Sequence, residues 1–415
     1  MPARKVCQNF FKDALSSFHQ YRQNALTDAT EVITSGAALT LSSIGRFLPG
    51  SGQVKNKIKR IDRLLGNTAL QQEVPLIYRS IISMLTKHLS LCVIAVDWSS
   101  YPTQDFHILR ASLICDGRSI PLLSQVVPCV MQQNSDIQNG FLDVLSGSIS
   151  PASRVIIITD AGFHNAWFKH IKSLGWEFIG RIRGKTLLQL DEQGAEWLNP
   201  RQLQASSIPK YLGPGSLSRK LYARCEGHFY LQKNSPKYRK DKRSRGRQAP
   251  PPKMAQDNRS SAKEPWLIFS NINDIMPRSI MKLYSRRMQI EQNFRDEKSE
   301  RYGLGLRGCY SRTAGRILIL SLLATLGSIV LWLVGYHAEN KGLHLRYQAN
   351  SIKSRRILSH LTLAKNILRQ TPMILRRINL NSILRKLAHA YQDMVMEQFV
   401  GIPQPCVSIV VASIF

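Results

Sequence analysis

Two apolar runs in this sequence end in an aspartate. LCVIAVDW (91–98) closes on Asp97, and RVIIITDAGF (154–163) carries Asp160 just past its last apolar residue. A third carboxylate, Glu291, lies in YSRRMQIEQNFRDEK (284–298), where Tyr284, Arg287, Glu291 and Lys298 stand at offsets 0, 3, 7 and 14. At about 100° per residue these four positions fall within a ~60° arc, so the run predicts one helix with a single polar stripe. In an open α/β sheet, sites form at the carboxyl ends of neighbouring strands. If the two runs are adjacent parallel strands, Asp97 and Asp160 converge and Glu291 can join them. Oxygen-only ligands suit Mg²⁺, and a pair of such ions can activate the attacking oxygen and stabilise the leaving oxygen of a phosphodiester. Arg287 offers a bidentate fork, Lys298 a point charge and Tyr284 a hydroxyl to phosphate oxygens. A strand-end aspartate alone is as readily a turn or cap, and a charged helical run alone is more often a solvated face. Their combination argues for a site.

These residues sit in a strongly basic chain. Its 415 residues include 57 Lys plus Arg against 27 Asp plus Glu, a formal charge of +30, and the pI is near 10.2. Such an excess implies a polyanionic partner, with nucleic acid ahead of an anionic membrane surface. Seven widely spaced cysteines without a C-x-x-C argue against a disulfide framework or a zinc site and fit a reducing cytoplasm. The N-terminus lacks the long apolar core of a signal peptide. ILILSLLATLGSIVLWLVG (317–335) is uncharged and long enough to span a bilayer. A core helix enclosed by other layers is also apolar all round, and that reading is preferred here.

The elements that must hold the site follow from periodicity. Residues 1–85 read as a helical DNA-binding domain. Within it TLSSIGRFLPG (40–50) is a short capped helix, and KNKIKRIDRLLG (55–66) sets Lys55, Lys59, Arg60 and Arg63 outside an apolar stripe. Residues 86–185 alternate strands and helices: a three-strand meander, a helix over 134–148, the Asp160 strand, a helix over 164–174 and a strand at 176–181. Residues 186–265 form a β-rich insertion ending in a basic linker, KYRKDKRSRGR (237–247), which contains Arg239, Lys240, Arg243 and Arg245. That linker reads as an electrostatic arm for a phosphate backbone. Residues 266–340 resume the α/β part, and 341–415 read as helical and basic, ending in SIVVASIF. The fold class is α/β with a mixed sheet.

With these stretches in view, the sequence resembles the cut-and-paste DDE transposases of bacterial insertion sequences that carry a Y-x₂-R-x₃-E-x₆-K signature. The resemblance rests on IKRIDRLLGN (58–67), VDWS (96–99), LRAS (109–112), ITDAGF (158–163), LGWEFIGRIRGK (174–185), SAKEPW (261–266), YSRRMQIEQNFRDEKS (284–299) and YGLGLR (302–307). It implies an RNase H-like catalytic domain interrupted by the insertion. It also implies an Asp97–Asp160–Glu291 catalytic triad binding two Mg²⁺, with Mn²⁺ able to substitute, and phosphate contacts from Tyr284, Arg287 and Lys298. Trp266, and Trp98 beside the first aspartate, are the candidates for stacking on a flipped base. The implied reaction nicks each element end, forms and reopens a hairpin, and joins the 3′-OH ends to target DNA. The implied partners are double-stranded DNA (end repeats and target), a second copy in a synaptic dimer and a host DNA-bending protein. No membrane is expected, and the setting is a bacterial cytoplasm. Glu297 departs from the family pattern, which has an apolar residue before the lysine, and a carboxylate there is expected to weaken helix packing or a phosphate contact. The alternatives are an inactive or domesticated DNA-binding relative, a membrane-anchored protein, and a simple RNase H-like nuclease.

Overall fold

Five helices precede the first strand: α1 (Pro2–Leu15), α2 (Gln20–Thr34), α3 (Leu41–Phe47), α4 (Val54–Leu65) and α5 (Thr68–Thr86). Side-chain caps set three of their starts, His19 accepting from the Tyr21 N–H at 3.3 Å to open α2. Thr40 accepts from the Ser43 N–H at 3.2 Å to open α3, and Asn67 accepts from the Leu70 N–H at 2.8 Å to open α5. On α4 the residues Ile61, Leu64 and Leu65 are buried, and Lys55, Lys59, Arg60 and Arg63 are exposed, as the spacing predicts. Helices α3 and α4 approach closely at Gly45, where a Cβ would lie 2.7 Å from the Ile58 Cα.

The computed structural model describes residues 2–101, 105–184, 186–191, 196–233 and 264–397. The basic linker with Arg239, Lys240, Arg243 and Arg245, and the terminal SIVVASIF, lie outside the described residues. The chain divides into two units, residues 1–177 with 286–392 and residues 178–285 with 393–415.

The first unit contains strands β1 (Leu91–Ser100), β2 (Phe106–Leu113), β3 (Ile120–Pro128) and β4 (Arg154–Thr159) in the order β3-β2-β1-β4. Strands β1, β2 and β3 form the antiparallel meander, and β4 lies parallel to β1 with Thr159 paired to Val96. Helix α6 (Ser135–Ser146) precedes β4, and α7 (Asn165–Ser173) follows it. β1 is buried from Leu91 through Asp97, which accounts for its near-continuous apolar run.

The second unit contains β5 (Glu177–Ile182), β6 (Leu188–Leu190), β7 (Lys210–Leu217), β8 (Cys225–Gln232), β9 (Trp266–Ser270) and α8 (Pro277–Ser285). Its strand order is β5-β9-β8-β7-β6, with antiparallel pairing throughout. The chain thus leaves after β5, builds the β-rich interruption, and returns as β9 beside β5.

Back in the first unit are α9 (Met288–Lys298), α10 (Ala314–Asn340), α11 (His360–Gln370) and α12 (Leu380–Met396). Helix α10 contains the long apolar run and packs against α2, α4, α5, α11 and β3. Its most apolar stretch is 94% buried, so it is a core helix. In α12, the Tyr391 hydroxyl accepts from the Val93 N–H of β1 at 2.7 Å, fixing the last helix to the sheet. The architecture is a mixed α/β fold with helical N- and C-terminal regions, consistent with an RNase H-like fold.

The single helix predicted over 284–298 is not present. α8 ends at Ser285, Arg286 and Arg287 turn, and α9 begins at Met288. No proline or glycine stands at the break. α8 buries Ile280, Met281, Leu283 and Tyr284, and α9 buries Gln289, Ile290, Asn293, Phe294 and Glu297. The break coincides with the passage of the chain from the second unit to the first, between Ser285 and Arg286.

Candidate active site

The parallel β1–β4 register places Asp97 and Asp160 one step beyond the Val96–Thr159 pair, where that pairing ends; β4 stops there, whereas β1 does not end at Asp97 but continues to Ser100 along β2. Asp97 Oδ1 accepts from the Trp98 N–H at 2.8 Å. Asp160 Oδ1 accepts from the Gly162 N–H at 2.8 Å, and a Cβ at position 162 would come within 3.0 Å of that oxygen. Glycine therefore keeps the carboxylate unobstructed. Glu291 stands in the first turn of α9, where a helix N-terminus favours negative charge. Arg287, immediately before that turn, donates to Asp97 at 3.3 Å and to Glu291 at 2.6 Å.

The electrostatics follow from this crowding. Burial pushes the Asp97 carboxyl up to about 7, and the charges of Asp160 and Glu291 add to the rise. The Arg287 guanidinium and the Trp98 N–H oppose it. Three carboxylates offering only hard oxygen donors suit a divalent cation. The residues present fit such an ion on the chemistry of the donor set.

Lys298, at the far end of α9, donates to Ser99 Oγ at 2.8 Å and to the Ser100 carbonyl. It therefore lies beside the last residues of β1, and burial lowers its pKa against the opposing charge of Glu297. The first unit thus brings together Asp97, Asp160, Glu291, Arg287 and Lys298. Tyr284 belongs to the second unit, where it is buried and packs edge-to-face on Trp266 with centroids 4.9 Å apart. Trp98 alternates with Asp97 along β1, so its ring lies on the opposite face, edge-on to His107 at 6.4 Å. Of the basic residues on α4, Arg60 is bound to Asp28, which Arg4 also holds at 2.6 Å. Lys55, Lys59 and Arg63 form no ion pair among the described residues.

Sequence reasoning missed what holds α9 in place. Gln289 brackets the Cys115 backbone, donating to its carbonyl at 2.6 Å and accepting from its N–H at 2.9 Å. Asn293 accepts from Arg110 at 2.9 Å, and Glu297 pairs with the same guanidinium. Asp296 takes Arg118 at 2.7 Å. The spacing of Gln289, Asn293 and Glu297 at i, i+4 and i+8 was the available signal, a polar stripe that faces inward. Glu297 is buried with its counter-ion rather than set against an apolar surface.

A second group of potential ligands, Asp116, Glu339 and His360, has donor atoms within 4.8 Å of one another. The Arg356 guanidinium already supplies the positive charge there, at 2.8 Å from Glu339 and 3.5 Å from Asp116. His360 Nε2 lies 2.7 Å from Glu339. This cluster is a clasp joining the end of α10 to the start of α11.

No curated protein matches the chain. Residues 88–326, more than half of the sequence, match the family described as Transposase DDE domain. The matched span opens just before β1 and closes within α10, taking in every carboxylate of the Asp97 site, and the chain belongs to the transposase DDE domain family.

Proposed function

We propose that this transposase excises an insertion sequence by cutting at its ends, passing through a hairpin, and joining the freed 3′-OH ends to target DNA. The reading rests on one observation above the others: Asp97 and Asp160 lie side by side where the parallel β1–β4 pairing ends, and Arg287 links Asp97 to Glu291. In this proposal Asp97, Asp160 and Glu291 hold two Mg²⁺, or Mn²⁺ in its place. When bound, the ions polarise the attacking and leaving oxygens of the phosphodiester. Arg287 and Lys298 orient the phosphate oxygens, Arg287 exchanging its carboxylate partners for phosphate when DNA enters. On the signature spacing alone, Tyr284 is a further phosphate contact and Trp266 a stacking surface for a flipped base.

Water first displaces a 3′-oxygen at each end, and the 3′-OH so freed attacks the opposite strand, closing a hairpin and releasing the flank. Water then reopens the hairpin, and the 3′-OH attacks a target phosphodiester. Each step exchanges one phosphodiester bond for another or for water, with no covalent enzyme intermediate. Two ends require a synaptic dimer, a host DNA-bending protein assists their pairing, and the work is done in the bacterial cytoplasm on the nucleoid. The Y-x₂-R-x₃-E-x₆-K spacing groups the chain with hairpin-forming transposases such as that of the tetracycline-resistance transposon.

The test is a labelled duplex carrying the element's own end repeat, incubated with protein and Mg²⁺ and resolved on a denaturing gel. The expected product is a nick followed by a covalently closed end. Double-strand breaks that never close would remove the hairpin step. Repeat-specific binding without cleavage in either metal would favour an inactive DNA-binding relative.

A further inference from the structure

Asp97 and Arg110 stand directly opposite each other in the β1–β2 ladder, so their side chains leave the same face of the sheet. Arg110 is 1% exposed, and a buried guanidinium must find a counter-charge. Two carboxylates lie within its range of elements, Asp97 on the neighbouring strand and Glu297 on α9. The guanidinium is turned to α9. Nε donates to Ser124 Oγ of β3 at 2.9 Å, Nη1 donates to Asn293 at 2.9 Å and to Glu297, and the guanidinium carbon lies 4.8 Å from the Phe294 ring centre. One side chain thereby ties β2 and β3 to two turns of α9. Arg110 Nη2 and Glu297 Oε1 are buried without a hydrogen-bond partner, so the guanidinium retains a donor to offer any carboxylate that comes near. Glu291 lies between the two anchors of its helix, two residues after Gln289 and six before Glu297, the latter about 9 Å along the axis.

We propose that Glu297 is a positioning residue for the reaction. By holding Arg110, it fixes the height of α9 on the sheet and keeps the guanidinium away from Asp97, leaving that carboxylate for the cation. The inference rests on the reading of Asp97, Asp160 and Glu291 as cation ligands. It assigns to the unusual glutamate before Lys298 a role opposite to the weakening expected from the sequence.

The test compares wild type, Glu297→Gln and the double variant Arg110→Met/Glu297→Leu. Three quantities are measured on the full chain: Mn²⁺ affinity by electron paramagnetic resonance, amide exchange across α9, and melting temperature. Glu297→Gln frees Arg110 to turn to Asp97, so Mn²⁺ binding should weaken about tenfold or more and α9 amides should exchange about tenfold faster. The double variant removes both buried charges and should return both quantities to within about threefold of wild type. A Glu297→Gln protein that melts lower yet binds Mn²⁺ like wild type would make the pair structural only and overturn the proposal. A double variant as defective as the single one would overturn it too. If wild type itself binds no Mn²⁺, the cation reading of the site fails, and the α9 exchange rates alone judge the pair: unchanged exchange in Glu297→Gln refutes it.

Discussion

Asp97 is the residue at which folding and chemistry oppose each other. Its carboxyl is raised from an ordinary 3.8 to about 7 in the folded chain. A group whose folded pKa is raised contributes stability that is complete below its unfolded value and is lost as pH rises through the folded one. In metal-free protein at pH 8, Asp97→Asn should therefore increase stability by about 2–3 kcal/mol while abolishing cleavage. At pH 3.5 the gain should vanish. Denaturant titrations at the two pH values check this, and a loss of stability at pH 8 would mean that the ion pair with Arg287 outweighs the burial of charge. The three carboxylates were legible in the sequence because each has a local marker: an apolar run ending in aspartate, or a helical offset from an arginine. Arg110 and Gln289 were not, because their partners lie 187 and 174 positions away and only the folded sheet brings them together.

At the scale of elements, the meander, the Asp160 strand, α6, α7 and the amphipathic α4 all follow from period and capping. The break between α8 and α9 does not, since it falls where the chain passes from one unit to the other and no proline or glycine marks that point. The junction of α10 and α11 is a similar case, built by tertiary contact. A Cβ at Gly335 would lie 2.2 Å from the His360 carbonyl oxygen, so Gly335→Ala should cost about 2–4 kcal/mol despite alanine's better helix propensity. An unchanged melting curve would show that the helices can separate freely there. Beside it, burial pushes the Glu339 carboxyl up, but hydrogen bonds from His360 and Arg356, and the charge of Arg356, more than offset this and hold it at about 2. A depressed folded pKa contributes stability above the unfolded value, lost as pH falls through the folded one. Glu339→Gln should accordingly cost about 2 kcal/mol at pH 7 and less than half of that at pH 3, a difference that paired denaturation curves resolve.

The whole molecule carries an excess of positive charge that its own acids do not neutralise, 57 basic against 27 acidic residues. Binding to duplex DNA should therefore release counterions and weaken steeply with salt. Replacing Lys55, Lys59 and Arg63 with alanine should reduce the slope of log affinity against log salt by about 2–3. An unchanged slope would take α4 out of the DNA interface. The layering of the first unit also explains why a run long enough for a membrane serves as a core: α10 has protein on every side.

In the proposed mechanism Asp97, Asp160 and Glu291 act together as the cation-binding carboxylates of DNA strand cleavage. This joint role is tested most directly by single-turnover cutting of an end-repeat duplex by Asp97→Ala, Asp160→Ala and Glu291→Ala, each compared with wild type at matched DNA occupancy in Mg²⁺. Each substitution should lower the cleavage rate by about a thousandfold or more while DNA binding persists. Cleavage within about tenfold of wild type by any one of the three, at equal occupancy, would contradict that role.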